Sequence, residues 1–561
     1  MKKYEEVVSI AVLCFSAVLL FGQETVEPRN AGTAQWIKKL GDDSYFVRER
    51  AEEHLFRIGI GALPALRAAS SGKDPEIAYR AEKIISRFNA QFTLRETKGL
   101  QIWIQEYAQA ETITKKAGVI WILAHPSGDA PNGEGLPTLL RILRFDEKRE
   151  LRAEAAKVLI AVPPVSPAPQ KKWYRNIVRE LEQNPNSSKE QDALTALVLD
   201  YAKIRCEWNE RKNAAADKES AQRIEKLIAA MTAFQANPAN NSIQPGNTSD
   251  ILFYYAVAEM QEAAGLTAQR DKSVQAALAV RTRFLGKEHP LLPVNEKVNE
   301  PFYDHYDAGI ILRRRYRLNW AKPHFQIVLE NGPIQMNLFA AMELAEVEQF
   351  LCRYSEAAKY FEQGKNILSS EEYKDKYSDN NNVFGKRVHA GMYLCLAQAA
   401  QAADDWSKVR ENVDKGLNSD SQEIDLLILS HKVIVHNPEI EPRYSDNLRD
   451  KTNNAMFGIE RQMQLRAGTT AEERKEAAVE ACNQAAWLLA GTGGSYSEAK
   501  ALIDTAVKAE PENPAYLDTL AHVYFLGGET EKAIRTQENV VRLVPEVTLF
   551  REALERFRKM K

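Results

Sequence analysis

The stretch from Asn483 to Pro545 says nearly the same thing twice. Ala486, Gly494, Ala499, Ala506 and Pro511 are followed, each 34 residues later, by Leu520, Gly528, Ala533, Val540 and Pro545. Small and large residues alternating at that period describe two antiparallel helices with their turns. In the second copy Leu517, Leu520, Ala521 and Tyr524 stand at i, i+3, i+4 and i+7, one face of a first helix. Gly527-Gly528 ends that helix. Ala533 opens the matching face of a second helix, where a small residue lets two backbones approach, and Pro545 closes the unit because it cannot continue a helix. A hairpin of this kind cannot bury its own apolar face, so neighbours of the same kind are expected.

This pattern resembles the tetratricopeptide (TPR) repeat family, and the resemblance returns upstream. In one copy Ala308, Gly309 and Leu312 fall on a first helix, with Ala321, Phe325, Val328 and Pro333 on the second and its end. Leu344, Ala345, Ala357, Phe361 and Gly364 take the same roles 36 residues later, with Tyr354 entering the second helix. After a polar tract from Glu371 to Asn382 come Leu396, Ala397, Trp406, Val409 and Gly416, a further copy. The resemblance implies an all-α fold, an α-solenoid of helical hairpins.

The N-terminal third repeats differently. Asp42-Asp43-Ser44-Tyr45-Phe46-Val47-Arg48 and Lys73-Asp74-Pro75-Glu76-Ile77-Ala78-Tyr79-Arg80 each put an acid at a helix start and an arginine about a turn later. Phe145-Asp146-Glu147 to Leu151-Arg152, preceding Ala155, Ala156 and Leu159, is a third start. With Ala62-Leu63-Pro64-Ala65-Leu66 opening a second helix, these resemble HEAT repeats. A short bundle without repeat symmetry is the alternative. Four prolines within Val162 to Pro169 favour extended geometry, which predicts a semi-rigid spacer between two arrays.

The expected organisation is therefore a signal peptide or anchor over 1–23, HEAT-like repeats over 33–162 and a proline-rich linker over 163–170. Helical, degenerate repeats follow over 171–300, where Phe253 to Ala277 reads as a helix pair split at Gly265. TPR-like repeats cover 301–420, a helical connector 421–479, and a TPR pair with a C-terminal helix 480–561. Lys2 and Lys3 ahead of the apolar run Val7–Phe21 have the length of an export signal rather than a membrane span. Glu5, Glu6 and the poor cleavage site at Leu20-Phe21-Gly22-Gln23 leave an uncleaved anchor open, and Leu13 before Cys14 does not suit a lipobox. The expectation is an exported chain, periplasmic or attached to the envelope, with the N-terminus as the point of any membrane anchoring.

Chemistry is sparse. With 74 basic against 77 acidic residues in 561, the global field is weak, which gives no footprint for nucleic acid. Cys14, Cys206, Cys352, Cys395 and Cys482 form no C-x-x-C, and His431 and His436 are five apart, off any shared helix face, so no metal site or cofactor is read. Phosphate-loop, zinc-protease and serine-elbow motifs are absent. The run Arg313-Arg314-Arg315-Tyr316-Arg317 reads as a charged helix end, solvated on the outer face, in preference to a phosphate or acidic-peptide site.

The function expected is that of a non-catalytic scaffold holding a protein or peptide partner; an accessory subunit, or an enzyme with scattered active residues, is the alternative. The TPR resemblance implies a concave surface on first-helix positions: Tyr306, Ile310 and Arg313; Met342, Glu346 and Gln349; Leu394, Gln398 and Gln401; and Asp518, His522 and Phe525. The family's carboxylate-clamp subgroup carries Lys and Asn at the first two positions of each set. Tyr306 with Ile310, and Asp518 with His522, depart from it, which speaks against a C-terminal acidic peptide bound in that manner.

Overall fold

The computed structural model describes residues 32–95, 98–124, 133–164, 167–183, 189–210, 218–240, 248–280, 302–377, 381–437, 439, 442–465 and 471–560. The signal or anchor over 1–23, Cys14 included, lies outside them. Every regular element among the described residues is helical, and none of these helices is long and apolar enough to cross a membrane. The contacts divide the chain into two compact units, 1–101 and 102–561.

The first unit holds α1 (Gly32–Lys39), α2 (Tyr45–Ile58), α3 (Leu63–Ser70) and α4 (Pro75–Arg95). Both acid-led starts open helices as expected. Asp74 Oδ1 accepts from the N–H groups of Glu76 and Ile77, and Arg48 donates to the carbonyls of Asp42 and Asp43. Arg80 joins α4 to α2, at 2.9 Å from Glu49 and 3.0 Å from the buried Glu52. Leu55, Leu66, Ala81 and Ile84 close the core beneath.

α5 (Lys98–Gln109) carries the division, and α6 (Ile113–Ala124), α7 (Leu136–Phe145), α8 (Arg149–Ala161), α9 (Pro167–Gln183) and α10 (Lys189–Glu210) follow in the second unit. The proline tract is not a spacer. Pro163 and Pro164 are buried, and α9 begins at Pro167 because a proline in the first turn gives up only an N–H that has no intrahelical partner. Trp173 folds back to donate from Nε1 to the carbonyl of Leu159, which ties α9 to the end of α8. Val165 and Ser166 lie outside the described residues.

After α11 (Lys218–Ala236), α12 (Thr248–Ala263) and α13 (Thr267–Leu278) form the helix pair expected around Gly265. α12 is tied to α8 by Lys157, buried at 2.6 Å from Asp250 and 2.7 Å from Glu154, with Ser249 also donating to Glu154. A cation buried with two carboxylates and a hydroxyl has its charge and donors answered locally.

Hairpins then succeed one another: α14 (Tyr303–Arg314) with α15 (Leu318–Asn331), α16 (Ile334–Phe350) with α17 (Tyr354–Ser369), and, after the short α18 (Glu371–Tyr377), α19 (Asn381–Ala402) with α20 (Trp406–Ser419). The tract containing α18 does not break the array, since α19 packs directly on α17 around Phe361, Val388 and Cys395. α21 (Ile424–His436) and α22 (Pro442–Leu465), whose register the sequence does not show, form one more hairpin within the same apolar cluster as α20. α23 (Ala471–Thr492) with α24 (Tyr496–Ala509), and α25 (Pro514–Leu526) with α26 (Thr530–Leu543), are the two copies of the 34-residue repeat. α27 (Thr548–Lys559) is the last described helix.

One turn geometry recurs through these hairpins. Gly265, Tyr316, Cys352, Asp404 and Gly528 all have φ between 56° and 73°, each just after a first helix. The next residue's N–H then reaches back five residues, as from Arg317 to the Leu312 carbonyl, Arg353 to Glu348, Asp405 to Ala400 and Glu529 to Tyr524. This left-handed closure satisfies carbonyls that the helix end leaves open. Its presence at Gly265 places α12 and α13 in the same structural series as the TPR-like pairs.

Candidate partner-binding surface

The first-helix residues of α14, α16 and α19 are brought together along one continuous seam. Tyr306 is half-buried, its ring centroid 5.9 Å from Phe325 and 6.4 Å from Phe339, and Phe339 lies 5.3 Å from Phe384. An aromatic row therefore runs from Tyr306 through Phe339 to Phe384 across three successive hairpins. Burial raises the Tyr306 phenol above its ordinary pKa, so it stays a neutral hydrogen-bonding group.

A charged row runs beside it. Arg313 sits 2.5 Å from Glu343 and 2.9 Å from Glu346, and Glu346 in turn meets Arg387 at 2.6 Å. Burial lifts the Glu343 carboxyl, against the pull of Arg313. Further along, Gln349 Nε2 donates to Gln398 Oε1 at 3.5 Å, a long contact that leaves room for competing donors and acceptors. Ile310 and Gln401 are half-buried on the same helices. Met342 and Leu394 differ from their expected roles: both are buried in the cores between hairpins, because the apolar faces they share with Ala345 and Ala397 turn inward. Phe339, Phe384, Glu343 and Arg387 belong to the seam and were not among the expected residues. The alternation of Arg313, Glu346 and Arg387 from one first helix to the next was the available signal.

The last unit is different, because its expected surface is covered by the chain itself. α27 lies over α25, with Phe557 stacked on Phe525 at 4.9 Å. Arg556 donates to His522 Nε2 at 2.6 Å, while His522 Nδ1 donates to the Asp518 carbonyl. Gln537 Nε2 bonds both the Asp518 carboxylate and the Phe550 carbonyl. Burial drives the Asp518 carboxyl up to about 7, and burial with the adjacent Arg556 drives His522 down to about 3. Asp518 is therefore buried, and His522 and Phe525, half-buried, are engaged by the C-terminal helix.

The arginine run also departs from expectation. Arg314 is exposed, but Arg315 and Arg317 turn inward, Arg315 donating to the carbonyls of Ala161 and Pro163 and Arg317 pairing with Glu262 and Glu546. The left-handed turn at Tyr316 redirects the chain at this point, so the side chains no longer follow the outer face of α14.

Among the described residues no group of three or more His, Cys, Asp or Glu is placed to hold a metal ion. His436 instead stacks on Trp406 at 3.8 Å. Cys395 and Cys482 are buried, Cys206 and Cys352 half-buried, and none of the four is in a disulfide. The chain is an all-α array of helical hairpins. No protein-family model matches it, and no curated protein matches it in sequence. Among solved structures it is similar to yeast Tom70, at 11% identity and a TM-score of 0.29, covering 94% of this chain and 97% of that one. The APC/C hetero-tetramer Cut9-Hcn1 gives 11% identity and 0.27, covering 94% and 99%. The human IFIT1 dimer with PPP-AAAA gives 12% and 0.21, covering 93% and 96%. At such scores these likenesses add nothing to what the hairpins themselves establish.

Proposed function

We propose that the protein is a non-catalytic scaffold that holds a partner polypeptide along the seam formed by α14, α16 and α19. The observation that carries this reading is the unbroken row Tyr306–Phe339–Phe384, half-buried on successive first helices and flanked by the Arg313–Glu346–Arg387 row. Rigid aromatic rings supply contact area at little entropic cost, and a neighbouring charge row sets register. Such a surface suits an extended or helical segment with apolar residues on one side and charges on the other. The apolar run Val7–Phe21 behind Lys2-Lys3 supports placing this activity in the cell envelope, after export.

The test is crosslinking in intact cells, followed by mass spectrometry, comparing wild type with Phe339→Ala/Phe384→Ala. The double variant is expected to lose the partner crosslinks of the wild type while keeping its helical circular dichroism. Retention of every crosslinked partner would show that this seam is not the binding surface, and turnover of a substrate by the purified chain alone would overturn the scaffold reading. Fractionation of intact cells tests the compartment, a cytosolic chain being the contrary result.

A further inference from the structure

Within the second unit, a cavity of about 560 Å³ opens where α9, α10, α12, the α14–α15 turn, the start of α25 and the end of α26 meet. It is separate from the seam on α14, α16 and α19. Arg205 from α10 and Arg315 and Arg317 from the α14–α15 turn line it, as do Tyr174, Tyr201 and Trp208.

The charges in this cavity are not matched alike. Arg205 has a partner, Glu259 at 2.5 Å, and its guanidinium lies 5.3 to 5.9 Å from the ring centroids of Tyr174, Tyr201 and Trp208. Arg317 has two partners, Glu262 at 2.8 Å and Glu546 at 3.3 Å. Among the described residues Arg315 has only neutral ones. Its Nη2 donates to the Ala161 carbonyl at 3.0 Å and the Pro163 carbonyl at 3.3 Å, and its Nε is enclosed without an acceptor. An enclosed guanidinium N–H without an acceptor is a costly arrangement, and burial already holds the Arg315 pKa below its ordinary value although Glu259 pulls the other way.

We infer that the cavity is a binding site for a small organic monoanion, a carboxylate docked on Arg315 with its apolar body against Trp208. A carboxylate matches the planar guanidinium fork and supplies the anionic partner that Arg205 and Arg317 already have and Arg315 does not. One negative charge is what the site can take. A phosphate would bring about 1.5 to 2 charges at neutral pH, and the excess would meet Glu259, Glu262 and Glu546 within the same walls. The aromatic side favours a ligand with an apolar portion over a bare ion.

Isothermal titration of the full chain near neutral pH tests this, with benzoate as probe, benzamide as its neutral counterpart and inorganic phosphate as the multivalent anion. Benzoate is expected to bind saturably, once per chain, and at least about tenfold more tightly than either comparison ligand, the gap that one charge-assisted bond supplies. Arg315→Gln is expected to weaken benzoate about tenfold or more. Should that variant unfold for want of its bonds to Ala161 and Pro163, Glu262→Gln serves in its place. It removes a negative charge at the more exposed rim and should tighten benzoate about threefold. Equal binding of benzoate and benzamide, tighter binding of phosphate, unchanged affinity in a folded Arg315→Gln chain, or no gain in Glu262→Gln would each overturn the assignment.

Discussion

His305 and His324 face each other from α14 and α15, 4% and 0% exposed, with their Nδ1 atoms 2.7 Å apart. The chain of bonds has a single consistent reading. Tyr255 donates its hydroxyl proton to His324 Nε2, His324 Nδ1–H donates to His305 Nδ1, and His305 Nε2–H donates to the Val280 carbonyl. Both rings must be neutral for this, and burial does hold both pKa values below the ordinary histidine value, with the neighbouring His305 adding to the effect on His324. An unfolded histidine takes up its proton near about pH 6.5, while the folded pair takes it up only lower. Below about 6.5 the unfolded chain thus binds more protons, so the stability this pair contributes is lost as pH falls, by up to about 1.4 kcal/mol per pH unit for each ring. Asp304 and Asp307, pushed up by burial to about 6 and about 7 on the same helix, act in the opposite sense. The comparison that isolates the histidines is therefore wild type against His305→Asn/His324→Gln, by denaturant midpoints between about pH 6.5 and about pH 5. Wild type should lose stability more steeply, and parallel slopes would contradict the account. Nothing in the sequence marks this pair. Residues 305 and 324 look scattered until a hairpin of known register folds one onto the other, and the same holds for Arg315, whose acceptors lie some 150 residues away.

At the scale of helices and turns, local sequence was far more informative. Ala533 is fully buried in a cluster with Ala521 and Phe557, at the close crossing that its position in the repeat implies. Ala533→Leu should overpack that crossing and cost about 1 to 3 kcal/mol, read from the denaturation midpoint. The recurrent left-handed turn residue was legible only where it is glycine, as at Gly265 and Gly528. Tyr316, Cys352 and Asp404 adopt the same φ at a steric cost of order 1 kcal/mol, sustained by the packing of the hairpins around them. Cys352, half-buried with its sulfur accepting from Tyr354, has least to lose. Cys352→Gly is therefore expected to stabilise by up to about 1 kcal/mol in the same measurement. A clear destabilisation would show that the sulfur contact outweighs the backbone strain. The proline tract misleads because composition favours extended chain, whereas position in the first turn of α9 makes Pro167 compatible with helix.

Across the whole molecule, periodicity was enough to give the fold class but not the closing contacts. Arg317 with Glu546 and Lys171 with Glu512 join segments 229 and 341 residues apart, and no local pattern records such pairs. The C-terminal helix was expected as an element, yet its seat over Asp518, His522 and Phe525 follows only from how Phe550 and Phe557 are buried. That seat divides the expected binding positions into two classes, the open seam at 303–402 and the occupied face at 514–526. The most direct measurement of this division is site-specific photocrosslinking in intact cells, with a photoreactive phenylalanine placed in turn at Phe339, Phe384 and His522. Phe339 and Phe384 should trap the same polypeptide, while His522, beneath α27, should react only within the chain. Capture of a partner from His522 and not from Phe339 or Phe384 would contradict the account.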